Sequence, residues 1–337
     1  MSASGAAAAI GGPLAWIRRW GVSLASLALG LLTLLVFRRG LPHVGWIVGY
    51  LLLLWLLVAL LAAARPPLET RGRQRMVGAA EYTIQTLYHN LFLFVLPAYF
   101  ASATLWSVNG PFVAAVALGA LVTAVDPWYR ALVRPWRWVE RAVFGFSIFA
   151  ALNVALPLVG VRPIGALLAS AGLSGVAMTP AFRRRGTVTW WRAFALAGVV
   201  AASAIAAVWL GRAAVPPAPI FLARAVAARA VADLEPVEPV AGGALPAAML
   251  AAWGGVVAYT AVHAPAGLRQ AIEHVWRRDG AVIGRVPLSP VLGGRAEGFR
   301  TWSRRSDVSP PVAGRYTVDV LTASGQLIGR LRFTVTP

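Results

Sequence analysis

Apolar positions follow two different patterns along this chain. Through roughly the first two thirds they run in long blocks broken by arginine-bearing loops, and through the last third they alternate with polar positions in short runs. A helix needs about 20 mostly apolar residues to cross the hydrocarbon core of a bilayer. Blocks of that kind lie near 20–37, 44–64, 89–108, 111–125, 142–159, 163–179 and 190–210. Val44 to Ala64 is the clearest, uncharged and rich in leucine. The block at 111–125 is short and has to extend or tilt to span. The block at 20–37 ends on Phe37, Arg38 and Arg39 with no small-residue cleavage site, which predicts an uncleaved anchor rather than a signal peptide.

The texture changes after Gly211. Pro216, Pro217 and Pro219 read as a linker, 212–222. Beyond it the apolar period drops to two, as expected for half-buried strands. Ile272, His274 and Trp276 alternate with Glu273, Val275 and Arg277. Asp279-Gly280 follows, a strong hairpin signal. Val282, Gly284, Val286 and Leu288 continue the return strand, and Phe299 to Arg304 reads as another. Tyr316, Val318 and Val320 alternate with Thr317 and Asp319. After a turn at Ala323-Ser324-Gly325, Leu327, Gly329, Leu331, Phe333 and Val335 share one face. The expected fold is an all-α polytopic membrane bundle of about seven transmembrane helices, followed by an all-β, immunoglobulin-like sandwich. The boundaries are a tail at 1–19, a helical domain at 20–211, the linker, and a β-sandwich domain at 223–337. Val240 to Val262 competes for a different reading. It is uncharged and long enough to span, but Pro246 and four glycines favour strand and loop over an eighth helix.

Composition agrees with a membrane setting. Of the 337 residues 58% are hydrophobic and 13% charged, and the net charge is +19. Soluble domains carry about 25% charged residues. All 31 basic residues are arginine. Most of the excess lies in short loops between apolar blocks, the pattern of the positive-inside rule. With the N-terminus cytoplasmic, 13 of these arginines fall in inside segments and 3 in outside loops. Seven spans then place the β domain outside the cytoplasmic (inner) membrane, in the periplasm of a Gram-negative cell. No basic stripe with interleaved aromatics points to nucleic acid, so no nucleic-acid partner is expected. Cysteine is absent, which excludes disulfides, thiolate catalysis and Cys-based zinc sites.

The C-terminal motifs resemble a known family. His274 through Trp276 to Asp279-Gly280, Gly298-Phe299-Arg300-Thr301-Trp302-Ser303, Gly314-Arg315-Tyr316-Thr317-Val318 and Gly329-Arg330-Leu331-Arg332-Phe333-Thr334-Val335 are similar, in that order, to the bacterial domain-of-unknown-function family 2914. The resemblance extends over roughly 223–337, including Glu235-Pro236. Leu96-Pro97 and Asp126-Pro127-Trp128-Tyr129 resemble an uncharacterised membrane domain found beside it. The resemblance implies an extracytoplasmic β domain next to a membrane bundle, and no activity.

Two groups of residues are candidates for a site. His274, Trp276, Arg300, Trp302 and Arg304 combine guanidinium groups with indole rings, which suits a carboxylate, phosphate or sugar. Alternatively the tryptophans are core and the arginines a solvated face. Polar residues within membrane spans are functional candidates by default: here His89, Asn90, Asp126 and Arg130. Against that, His89 and Asn90 suit hydrogen bonds between helices, and Asp126 suits a helix cap paired with Arg130. No nucleophile elbow surrounds Ser303, no His pair at i, i+4 suggests a metal, and no Gly-rich phosphate loop is present. No catalytic residue, cofactor or metal is expected. The leading expectation is a non-enzymatic envelope protein, whose β domain binds an envelope protein or an anionic glycan while the helices contact the lipid bilayer. The alternative is a transporter or membrane enzyme with its site in the bundle.

Overall fold

A computed structural model describes residues 44–183, 188–306 and 310–337. The expected tail at 1–19 and first span at 20–37 lie outside the described residues. The helical region holds α1 (Val44–Thr70), α2 (Gln74–Ala101), α3 (Gly110–Ala124), α4 (Arg137–Leu158), α5 (Pro163–Ala177) and α6 (Trp190–Leu210). Proline marks several of their ends, as its ring and missing N–H require. Pro97 and Pro157 sit in the closing turns of α2 and α4, and Pro163 opens α5. Pro127 follows Asp126 at the start of a short turn that widens into a π-helix, Tyr129–Val133.

The expected count of seven spans is corrected. Among the described residues three helices are long and apolar enough to cross a membrane by length and composition, or four if a pair bent by 98° near Val125 counts as one. The first expected span lies outside the described residues, and α2 carries Glu81, Gln85, His89 and Asn90 in its interior. The span expected at 89–108 was also placed too late, since the helix begins at Gln74 and ends at Ala101.

The β region resolves the ambiguous stretch. Residues Val240–Val262 form a short 3-10 turn, a strand, the one-and-a-half-turn helix α7 (Ala247–Ala252) and most of another strand, so no eighth helix exists there. The strands are β1 (Phe221–Ala232), β2 (Glu235–Pro239), β3 (Ala244–Pro246), β4 (Val256–His263), β5 (Arg269–Gln270), β6 (Ile272–Arg278), β7 (Ala281–Pro287), β8 (Val291–Leu292), β9 (Phe299–Arg305), β10 (Gly314–Thr322) and β11 (Leu327–Thr336). They form a four-stranded sheet, β2-β1-β4-β9, a five-stranded sheet, β3-β11-β10-β6-β7, and a small pair, β5-β8. The β6–β7 hairpin closes at Asp279-Gly280 with φ of 49° and 87°, the left-handed pair that the dipeptide favours.

One apolar core joins the two large sheets. Ala227, Val256 and Ala258 come from the four-stranded sheet. Leu245, Trp276, Tyr316, Val318, Leu331, Phe333 and Val335 come from the other, and Leu250 of α7 closes the end. The alternation read from β6, β10 and β11 is the alternation observed: Trp276, Val318 and Val335 are at most 2% exposed.

The chain divides into two compact units. One gathers the described residues up to Pro97 with Ala114–Leu152 and Ala169–Ala206. The other gathers Ala98–Val113, Asn153–Leu168 and Ala207–Pro337. The second unit therefore includes the α2–α3 and α4–α5 turns as well as the β region. Within it Asn109 Nδ2 donates to the Leu327 carbonyl at 3.0 Å, and Arg212 Nε donates to the Ser324 carbonyl at 2.8 Å. Gln326 Nε2 donates to the Val215 carbonyl at 3.2 Å. Val215 and the residues up to Ile220 are buried. The segment expected as a linker is thus packed into this unit, because its prolines and apolar side chains find a core to join.

Candidate functional site

The first candidate cluster separates into an inner and an outer set. On β6, His274 and Trp276 point into the core at 0% and 1% exposure. There His274 Nδ1 pairs with Ser303 Oγ at 2.8 Å, and His274 Nε2 with Thr260 Oγ1 at 3.0 Å. Trp276 Nε1 donates to Ser303 Oγ at 2.9 Å. Thr260 Oγ1 also meets Thr301 Oγ1 at 2.9 Å. The network ties β6 of one sheet to β4 and β9 of the other. Burial pushes the His274 imidazole down to about 4, so it is neutral at pH 7. A serine beside a histidine resembles an activated nucleophile. Here Ser303 is buried and already accepts from Trp276, and the second His274 nitrogen is held by Thr260. The geometry is that of a satisfied core network.

Arg300, Trp302 and Arg304 alternate with Thr301 and Ser303 on β9, so they share the outward face of the four-stranded sheet. Their cross-strand neighbours are Ala261, Tyr259 and Val257. Trp302 is 41% exposed. Arg300 is held between Glu297 at 2.7 Å and Glu235 at 3.1 Å, and Glu235 also pairs with Arg224 at 2.8 Å. Arg304 Nη2 donates to the Trp253 carbonyl at 2.9 Å. Tyr259, under the Arg224 guanidinium, donates to the Leu234 carbonyl at 3.1 Å. Trp302 is therefore the exposed centre of a face whose arginines have protein partners. Sequence reasoning placed the three on one face. It did not find Glu235, which reaches them from a separate hairpin.

The helical candidates stitch α2 to the end of α3. Gln85 Nε2 donates to the Thr123 carbonyl at 3.0 Å and to Asp126 Oδ1 at 2.7 Å. One turn later, buried His89 Nδ1 lies 3.2 Å from the Ala120 carbonyl. This is interhelical hydrogen bonding by polar residues at close approach. Gln85 shares with His89 the interhelical contact expected of His89 and Asn90, and Asp126 accepts from Gln85.

Arg130 faces elsewhere, into a cleft of about 420 Å³ between α1, α2, the π-turn and the start of α4. Its polar lining includes Glu81, Tyr82, Tyr129, Arg134, Arg137 and Glu140. Of the four intramembrane candidates only Arg130 lines this cleft. Glu81 and Arg134 form an ion pair across it. The widened turn at Tyr129–Val133, of a kind frequent at functional sites, carries Arg130 on the cleft wall. No group of three or more metal-ligating side chains gathers among the described residues.

Two families match the chain. One, a family of unknown function (DUF5924), matches residues 12–256. The other, a protein family of unknown function (DUF2914), matches residues 269–335. The second match is shorter than the resemblance over 223–337, because the strands from β1 to β3 fall in the first. No curated protein and no solved structure matches the chain.

Proposed function

The chain belongs to the family of unknown function DUF5924, with a DUF2914 domain at its C-terminus, and from that premise we propose that it is a membrane-anchored binding protein of the cell envelope. The helical region crosses the inner membrane with its N-terminus in the cytoplasm. The β region stands on the extracytoplasmic side and engages an envelope protein or an anionic glycan through the outward face of its four-stranded sheet.

The distribution of apolar surface supports the membrane part. In α6 only 17% of the apolar window is buried, while Trp191, Val199 and Leu210 are 65–81% exposed. Apolar exposure on that scale calls for lipid rather than water. An immunoglobulin-like reading of the β region rests on three features. β1-β4-β9 lies over β3-β11-β10-β6-β7 with β3 parallel to β11. Trp276 fills the core from β6, an inner strand of the second sheet, and Tyr316 Oη donates to the Val312 carbonyl at 2.8 Å. The last two correspond to the core tryptophan and the tyrosine corner of such sandwiches.

The observation that carries binding over catalysis is the separation of β9 into two faces. Its serine is enclosed with His274, and its tryptophan is exposed. Exposed aromatics ringed by arginine are typical anchors of recognition surfaces. The test uses the full chain in detergent, with co-sedimentation on isolated cell-wall sacculi and capture of envelope proteins. Trp302→Ala is expected to weaken capture about tenfold, the effect of roughly 1.4 kcal/mol. Unchanged capture by the folded variant sinks this face. A reporter fusion at Pro337, alkaline phosphatase against a cytoplasmic fluorescent protein, checks the side of the membrane.

A further inference from the structure

We propose that the cleft between α1, α2 and the π-turn holds the phosphodiester of a phospholipid head group. This rests on the membrane reading above and is independent of the partner proposed for the β domain. The first support is the state of its arginines. Arg134 is taken by Glu81. The side chains of Arg130 and Arg137 make no ion pair or hydrogen bond among the described residues, and both face the cleft. A guanidinium fork matches two phosphate oxygens at once. Three arginines against Glu81 and Glu140 give the lining one net positive charge. That complements a phosphodiester, with its single negative charge, better than a polyphosphate.

The second support is position. Trp128, Trp136 and Trp138 flank the same stretch and are 43%, 58% and 68% exposed. Indole rings favour the level of the lipid head groups, where phosphates lie. Basic recesses between helices at that level bind lipid phosphates. Leu61 and Ile84 supply an apolar wall on the same cleft, suited to the glycerol end of a lipid. Tyr82 and Tyr129 add hydroxyl groups to the lining.

The experiment follows bound lipid on the full chain in detergent by native mass spectrometry. The probes are phosphatidylglycerol, diacylglycerol with the same acyl chains, and inorganic phosphate. Wild type is expected to retain phosphatidylglycerol and release diacylglycerol. Arg130→Gln with Arg137→Gln is expected to lose phosphatidylglycerol at least about tenfold. Arg192→Gln, which removes one positive charge from an exposed site on α6, is expected to retain it. Arg130→Lys with Arg137→Lys keeps the charge without the fork, so intermediate retention is expected. Thermal unfolding establishes that each variant is folded. Displacement of the lipid by millimolar inorganic phosphate assigns the cleft to a soluble phosphate, and no displacement assigns it to the lipid. The first outcome overturns the lipid assignment, and the second supports it. Equal retention by wild type and the double Gln variant overturns the proposal, as does an equal loss in Arg192→Gln.

Discussion

The β region and the helical region distribute their side chains in opposite ways. In the β region large apolar groups such as Trp276, Tyr316 and Phe333 fill the interior. Arginines stand outside, paired with Glu235, Glu238, Glu273 and Glu297. In α6 the buried residues are Ala193, Ala197 and Ala201, and the large apolar side chains face out. On the membrane reading proposed above, the difference follows from the surroundings. Water drives large apolar groups inward. Lipid offers no such drive, so helices there pack through small residues that let backbones approach. Gly175 of α5 shows the second case, since a Cβ there would lie 2.5 Å from the Ala201 Cα.

Buried polar groups follow the same division. The β core closes His274, Ser303, Thr260 and Trp276 into a side-chain network linking its sheets. In the helical region buried Ser102 and Thr123 return their hydroxyls to the carbonyl four residues earlier, as the less buried Thr83 and Thr86 also do. A helix whose backbone is satisfied internally can absorb a hydroxyl in this way, whereas a strand has to send its side chains across to another sheet.

The largest expected effect breaks the inward packing of the β region. Trp276→Ala should destabilise it by about 3–5 kcal/mol, since a core indole is lost and Ser303 loses its donor. Denaturant unfolding followed by tryptophan fluorescence measures this, and a change under 1 kcal/mol would contradict a core role. The next effect is pH dependence. The imidazole titrates near 6.5 in an unfolded chain and near 4 in the folded one. Protons therefore bind the unfolded form first. Stability present above about pH 6.5 should fall as pH drops toward 4, by roughly 3 kcal/mol in total. His274→Gln should flatten unfolding midpoints across that window, and an unchanged slope would remove His274 as its source. The smallest effect tests the packing of α5 against α6 through small residues. Gly175→Val should cost about 1–3 kcal/mol by forcing α5 from α6. Gly198→Ala, with nothing within 4 Å of its Cβ, should leave the thermal midpoint in detergent unchanged or higher. Equal effects of the two would mean that close approach does not hold these helices together.

The two family segments meet inside one core. Ala227, Leu245 and Leu250 lie within the span matched by DUF5924, and Trp276, Tyr316 and Val318 within that matched by DUF2914. The β region is thus completed by residues from both families. The resemblance carried on His274 to Val335 is matched over 269–335, and packing joins to those motifs β1, which lies in the span of the other family.

Much of this was legible in local pattern. Period-two alternation put Ile272, His274 and Trp276 on one face and Arg300, Trp302 and Arg304 on another, because successive strand residues point to opposite sides. Apolar blocks located six helices, and Asp279-Gly280 located a hairpin. What local pattern could not supply was which faces meet. Only the packing of β6 against β9 enclosed His274 with Ser303 and left Trp302 outside. Glu235 reached Arg300, and Arg130 and Arg137 came to share a cleft, by the same kind of long-range placement. Val240 to Val262 shows the limit most clearly. Its composition suited either a helix in lipid or strands in a core, and pairing of β3 with β11 and of β4 with β1 and β9 decided for strands. Those partners lie far along the chain, and periodicity carries no record of them.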